Sequence, residues 1–299
     1  MRHFPAAVAM VVCLHPWTAP DLCAEETESS GGLPVANFAY RSGDELTDYE
    51  KERCTLDLYL PDERERFATL VWFHGGGLKQ GDKRDGHDIA VSLVGEGLAV
   101  ANVNYRLSPR VTYPAYLEDA AAAVAWVHAH IAEYGGDPAR VFVAGHSAGA
   151  WLTLMIGLDD RYLGEFSLAP SDLAGLIPVS GQTMTHFTVR EERKVGRWTI
   201  TADEAAPVFH GRRVTPPMLL IYADNDMVAR AEENEYFIAL MKGAGNERVE
   251  GLRVPDRDHG SVAFKISEEG DPARVAVLEF IRSVAWKGLP SAVGEDPER

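Results

Sequence analysis

Cysteine is scarce in this chain. Of three, Cys13 and Cys23 fall within the first two dozen residues, and Cys54 alone lies beyond them. Without those first two dozen residues no intramolecular disulfide is possible, so stability has to come from a buried core. Cys54 belongs to the alternating run Cys54-Thr55-Leu56-Asp57-Leu58-Tyr59-Leu60, where a small buried hydrophobe fits better than a nucleophile. Metal-site patterns are missing too: there is no cysteine cluster, and His128 and His130, two apart on a helix, do not share its face. Neither a phosphate loop nor a dinucleotide fingerprint occurs, so no cofactor is expected. Positive charge is in deficit, with 29 Lys and Arg against 45 Asp and Glu and a net charge of −16. Nucleic acid and anionic membrane surfaces would repel such a chain.

No apolar run is long enough to span a bilayer. The longest, Phe4 to Leu14, follows Arg2 and His3 and precedes the small and polar residues through Ala24, the order of a secretory signal. We therefore expect export to the periplasm or the medium, with residues 1–24 removed and no membrane span left. A polar linker is expected at 25–48, one catalytic domain at 49–287, and an acidic tail at 288–299.

What the chain does have is an alternation of short apolar runs and helical patterns. Strands are predicted at Cys54 to Leu60, Thr69 to Phe73, Ala99 to Val103, Val141 to Ala144, Leu176 to Ser180, Met218 to Tyr222 and Val249 to Val254. Helical spacing runs through Ile89 to Val94, Leu117 to Ile131, Trp151 to Leu158 and Glu232 to Lys242. A last helix opens at Asp271-Pro272, with Val275, Leu278 and Ile281 on its apolar face. This order implies an α/β fold, a mostly parallel sheet covered by helices on both faces, with ligands at the carboxyl ends of the strands. From Gly181 to Pro216 the period is lost, which predicts an excursion over the sheet's edge, a small cap at 182–213.

Gly145-His146-Ser147-Ala148-Gly149 joins the run ending at Ala144 to the helix beginning near Trp151. A serine on so sharp a strand-to-helix turn projects its hydroxyl from the sheet, and flanking glycines leave room for the turn. The pattern alone arises by chance about once in ten such chains. The match His74-Gly75-Gly76-Gly77 after a buried strand has a chance frequency below roughly one in a hundred, and its backbone N–H groups can face an oxyanion. A serine hydroxyl needs a base, and His259, just past the last strand, is the best placed of ten histidines. A carboxylate must then orient the imidazole. Asp224 and Asp226 both follow the strand ending at Tyr222; Asp226 is favoured, since it lies far enough along to curl back, while Asp224 shapes the turn.

These motifs, with Asn104-Tyr105-Arg106-Leu107-Ser108-Pro109, Leu117-Glu118-Asp119 and Asp258-His259-Gly260, resemble an α/β-hydrolase of the hormone-sensitive-lipase and carboxylesterase type. The branch includes feruloyl and acetylxylan esterase-like and kynurenine-formamidase-like proteins, and the resemblance covers roughly Leu56 to Trp286. It implies Ser147 as nucleophile, His259 as base, Asp226 as acid, and the N–H groups of Gly76, Gly77 and Ala148 as an oxyanion hole. It also implies that His74 orients the glycine loop and that His146 packs beside the elbow. Two departures stand out: Leu78 where many relatives have Trp after the third glycine, and no proline after the acidic residue. The substrate expected is a small-molecule ester, an acylated sugar among the candidates. A formamide or other amide cleaved by the same triad, and a silent binding module on the same fold, are the alternatives. The excursion, which carries His186, Phe187, Trp198 and Phe209, is expected to cover the pocket, with packing or surface roles expected for each of these side chains taken singly.

Overall fold

The computed structural model describes residues 37–62, 65–212 and 214–286. The expected signal (1–24), the tail (288–299) and residues 25–36 of the expected linker lie outside them. An eight-stranded sheet forms the centre, in the order β1-β2-β4-β3-β5-β6-β7-β8. Along the chain the elements are β1 (Asn37–Ala39), α1 (Asp48–Arg53), β2 (Thr55–Tyr59), β3 (Phe67–Phe73), α2 (His87–Val94), β4 (Ala99–Val103) and α3 (Ala115–His130). Then come β5 (Gly136–His146), α4 (Ala148–Leu158), α5 (Asp160–Gly164), β6 (Gly175–Val179) and α6 (Phe187–Glu192). The chain continues through β7 (Met218–Asn225), α7 (Arg230–Gly243), β8 (Val249–Asp258), α8 (Ser261–Phe264) and α9 (Pro272–Ala285).

From β4 through β8 every pairing is parallel, and only β1–β2 and β2–β4 are antiparallel. Parallel pairing requires crossovers, and the helices supply them. The strand period of two divides the core between the two faces. Val71, Phe73, Val141 and Val143 pack toward α3 and α4, while Leu70, Trp72, Phe142 and Ala144 pack toward α2 and α9. α3 ends where the double glycine requires it. After a turn of 3₁₀ helix at Ile131–Tyr134, Gly135 takes a φ of 95°, a left-handed cap that costs glycine little.

Three elements differ from the sequence reading. Within the stretch taken as linker, residues 37–39 form β1 on the sheet edge, a strand too short to show an alternation. In α9, Val275 faces outward at 41 % exposure, and the buried face is carried by Ala273, Val277, Leu278, Phe280 and Ile281. In the excursion, polar Thr183, Thr185 and Thr188 are fully buried. Their hydroxyls hydrogen-bond inside the protein, to the Glu233 carbonyl, the Asp203 carboxylate and the Gly77 carbonyl, which satisfies them without water. Residue 213, the last of the expected cap, is not described.

Candidate active site

Four loops meet at the carboxyl ends of the parallel strands: the glycine loop after β3, the elbow after β5, the turn after β7 and the turn after β8. Ser147 stands alone between β5 and α4 with φ 56° and ψ −111°, and its N–H donates to the Val179 carbonyl at 2.8 Å. Such a backbone costs a non-glycine residue about 1–3 kcal/mol and persists only where its surroundings hold it. The flanking glycines are sterically obligatory. A Cβ on Gly149 would lie 2.1 Å from the Phe73 carbonyl oxygen, and one on Gly145 would lie 2.6 Å from the main chain of Gly149.

The Ser147 Oγ is 2.9 Å from Nε2 of His259, and His259 Nδ1 is 2.6 Å from Oδ1 of Asp226. An ionised carboxylate only accepts, so Nδ1 carries the proton and Nε2 is free to accept from the serine hydroxyl. Asp226 is held from three further sides: Ser180 Oγ donates to Oδ2 at 2.5 Å, Met227 N–H to Oδ1 at 2.7 Å and Ala223 N–H to Oδ2 at 3.3 Å. Its carboxyl is only 1 % exposed. Burial raises its pKa, but the hydrogen bonds from His259 and Ser180 outweigh that and hold it below the ordinary aspartate value. Asp224 instead accepts the N–H groups of Asp256 and Arg257 at 3.0 and 3.2 Å, tying the β7 turn to the β8 turn. It is Asp226 that faces the imidazole.

Gly76 and Gly77 have φ values of 102° and 65°, conformations that side chains rarely adopt. Their carbonyls are engaged elsewhere: Gly76 O accepts from Lys79 and Gln80 N–H, and Gly77 O accepts from Thr188 Oγ1 at 2.5 Å. Both glycines line a cavity of about 380 Å³ together with Ser147, His259, Phe187 and Met227. Ala148 is the first residue of α4, so its N–H has no acceptor inside the helix and lies at the positive end of the helix dipole. The arrangement can hold a carbonyl against the serine while donors face the oxygen that gains charge.

Two buried histidines support this centre. His74 stacks on Tyr105 at 4.3 Å, and its ring nitrogens meet the Gly75 carbonyl at 2.7 Å and Nη2 of Arg53 at 3.3 Å. Arg53, at the end of α1, also donates to the carbonyls of Gly81 and Tyr105, so an element that sequence reasoning missed braces the glycine loop. His146 does more than pack beside the elbow: its Nε2 donates to the carbonyl of His259 at 2.7 Å. Burial pushes the pKa of both His74 and His146 down to about 4, so both are neutral near pH 7.

Of the four residues named in the excursion, Phe187 lines the cavity and its ring lies against Gly77. His186 is buried instead, its Nδ1 capping α6 by accepting from Thr188 N–H at 3.2 Å. Phe209 is 60 % exposed and lines none of this cavity, and Trp198, at 77 % exposure, borders a neighbouring one. Lys79 and Arg197 both pair with Glu191, joining glycine loop and cap at the rim. Ser180, Thr188 and Arg230, which hold Asp226, Gly77 and the Ser180 carbonyl, carry no motif that could have announced them. Cys54 is buried and its thiol is pushed up to about 12, first by burial and then by the charge of Asp119.

The BD-FAE family model matches residues 56–174, from β2 past the glycine loop and the elbow. LipM of Mycobacterium tuberculosis, a probable carboxylic ester hydrolase, is 30 % identical over 252 residues, 77 % of this chain and 58 % of LipM. The carboxylesterase NlhH of the same species is 40 % identical over 106 residues, 35 % of this chain and 33 % of NlhH. The chain spans little more than half the length of LipM, and of the esterase LipC, of which it also covers 58 %. Among solved structures, an esterase from the planctomycete Thermogutta terrifontis superposes with a TM-score of 0.70 at 22 % identity, over 89 % of this chain and 96 % of that one. A truncated carbohydrate esterase from gut microbiota gives 0.71 at 19 % identity, over 87 % of this chain and 99 % of that one. The chain has the α/β-hydrolase fold, and the proteins it is similar to include ones named as esterases and carboxylic ester hydrolases.

Proposed function

We propose that this protein hydrolyses carboxylic esters through an acyl-enzyme on Ser147. The observation that carries the reading is the unbroken run from Ser147 Oγ through His259 to Asp226, at 2.9 and 2.6 Å, among three residues from three different strand ends. His259 Nε2 takes the hydroxyl proton as Oγ attacks the ester carbonyl, and Asp226 stabilises the imidazolium. The N–H groups of Gly76, Gly77 and Ala148 receive the negative oxygen, and losing one such donor costs about 3 kcal/mol of barrier. As the carbonyl re-forms, the C–O bond to the alcohol breaks and His259 protonates the leaving oxygen. Water, deprotonated by His259, then attacks the acyl carbonyl and releases the acid with Ser147 restored.

Ester substrates are supported by the names of the relatives, and an acylated sugar is a candidate because one structural neighbour is a carbohydrate esterase. The leader-like residues 1–24 support action outside the cytoplasm. Ser147→Ala should lose turnover of 4-nitrophenyl acetate and butyrate with an unchanged melting temperature. Retained turnover in that variant refutes the reading.

A further inference from the structure

Beyond Phe187 and Met227 the cavity at Ser147 adjoins a second one, of about 420 Å³, and Phe187, Arg197 and Met227 line both. Its outer wall is apolar, built from Trp198, Ile200 and Val228, all exposed. Its inner wall is cationic. Arg190 of α6 is only 8 % exposed; its Nη1 donates to the Thr199 carbonyl at 2.6 Å, while its Nε is buried with no acceptor among the described residues. A buried guanidinium N–H left without an acceptor costs free energy, which an acceptor entering the cavity would offset. Arg230 lies deeper and donates to the Ser180 carbonyl, and Arg197 stacks over Phe187 at 4.1 Å. Against these stand Glu233, which ion-pairs with none of them within 4.0 Å among the described residues, and Glu191, already shared by Lys79 and Arg197. Three arginines and one carboxylate thus line the cavity, in a chain whose net charge is −16.

We propose that this second cavity takes the part of the ester remote from the scissile carbonyl, and that it selects an apolar chain or ring ending in a carboxylate that meets Arg190. The proposal rests on Ser147 being the esterase nucleophile. A planar guanidinium whose Nε–H lacks an acceptor suits a carboxylate, and the Trp198, Ile200 and Val228 wall suits the apolar body between head group and ester.

Two matched substrate pairs test it on the full chain. On the acyl side, the 4-nitrophenyl monoester of octanedioate is compared with its methyl-capped diester. On the alcohol side, 4-butyryloxybenzoate is compared with its methyl ester. The free carboxylate in one of the pairs should lower KM about ten-fold. Arg190→Gln should erase that preference with 4-nitrophenyl acetate turnover unchanged, and Arg197→Gln should reduce it. Equal KM values within both pairs, or a preference that survives in a folded Arg190→Gln protein, overturn the proposal. Should Arg190→Gln fail to fold, the Arg197→Gln result decides. Calorimetric binding of monomethyl octanedioate, but not dimethyl octanedioate, to Ser147→Ala is expected as well, and it reads the cavity without turnover. Absence of 4-nitrophenyl acetate hydrolysis by the wild type would therefore remove the esterase reading, while the calorimetry would still decide the cavity.

Discussion

Asp224 and Asp226 are two residues apart and chemically identical, yet the structure gives them different work. Asp226 is buried against His259 and Ser180, whereas Asp224 accepts main-chain N–H groups of the β8 turn at the surface. Asp226→Asn should therefore lower kcat by about 10³–10⁴, because an amide in place of the carboxylate no longer fixes the imidazole tautomer or stabilises its cation. Asp224→Asn should keep kcat within a few-fold of wild type. Steady-state kinetics on 4-nitrophenyl butyrate check both, and equal losses would contradict the assignment. Ser147, His259 and the glycine loop were legible in the sequence because each is tied to a turn that few residues can make or to a chemistry that few can perform. Ser180 and Arg230 were not, since a serine at a strand end and an arginine at a helix start are common. Only the folded backbone reveals that one donates to Asp226 and the other to the Ser180 carbonyl.

The parallel strands were readable as elements because burial on both faces writes a nearly continuous apolar run, broken only by Thr69 in β3 and Asn102 in β4. The excursion after β6 was readable only as a loss of period. Its six-residue helix α6 is too short to show one, and Thr183, Thr185 and Thr188 look solvated in sequence while they are fully buried in the fold. Thr188 is the clearest case. Its hydroxyl holds the Gly77 carbonyl, so the cap sets the geometry of the loop expected to face the oxyanion. Thr188→Val keeps the shape and removes one neutral hydrogen bond of about 1 kcal/mol. The expected result is a fall in kcat of roughly five-fold with little change in KM, since the loss would be felt as charge develops on the carbonyl oxygen. A change in KM alone would place Thr188 in substrate binding instead.

At the scale of the whole molecule, His74, His146 and His186 are buried and their pKa values are depressed, the first two to about 4. Unfolded, each would titrate near pH 6.5. Between those values the unfolded chain binds more protons than the native one, so their contribution is complete above about pH 6.5 and is lost as pH falls toward 4. For His74 and His146 the loss is on the order of 3 kcal/mol each. Asp226, held low, and Asp82, held near 2, lose their contributions only at lower pH still. The melting temperature should accordingly be nearly level above pH 7 and fall steeply between pH 6.5 and 4; a level profile down to pH 4.5 would contradict it. The export proposed from residues 1–24 predicts a mature protein that begins near Glu25 and is recovered outside the cytoplasm. Mass spectrometry of the fractionated cells checks this, and an intact Met1 in the cytoplasm would count against it.

The claim at the centre of this account is that one serine carries the acyl group. Incubation with a fluorophosphonate, followed by peptide mass spectrometry, tests it most directly: Oγ attacks phosphorus, fluoride leaves, and a stable phosphonyl ester remains. One adduct per chain is expected, on the peptide containing Ser147, with ester turnover lost in proportion and no adduct in Ser147→Ala. An adduct on another residue, or full turnover in a protein that does not label, would contradict it.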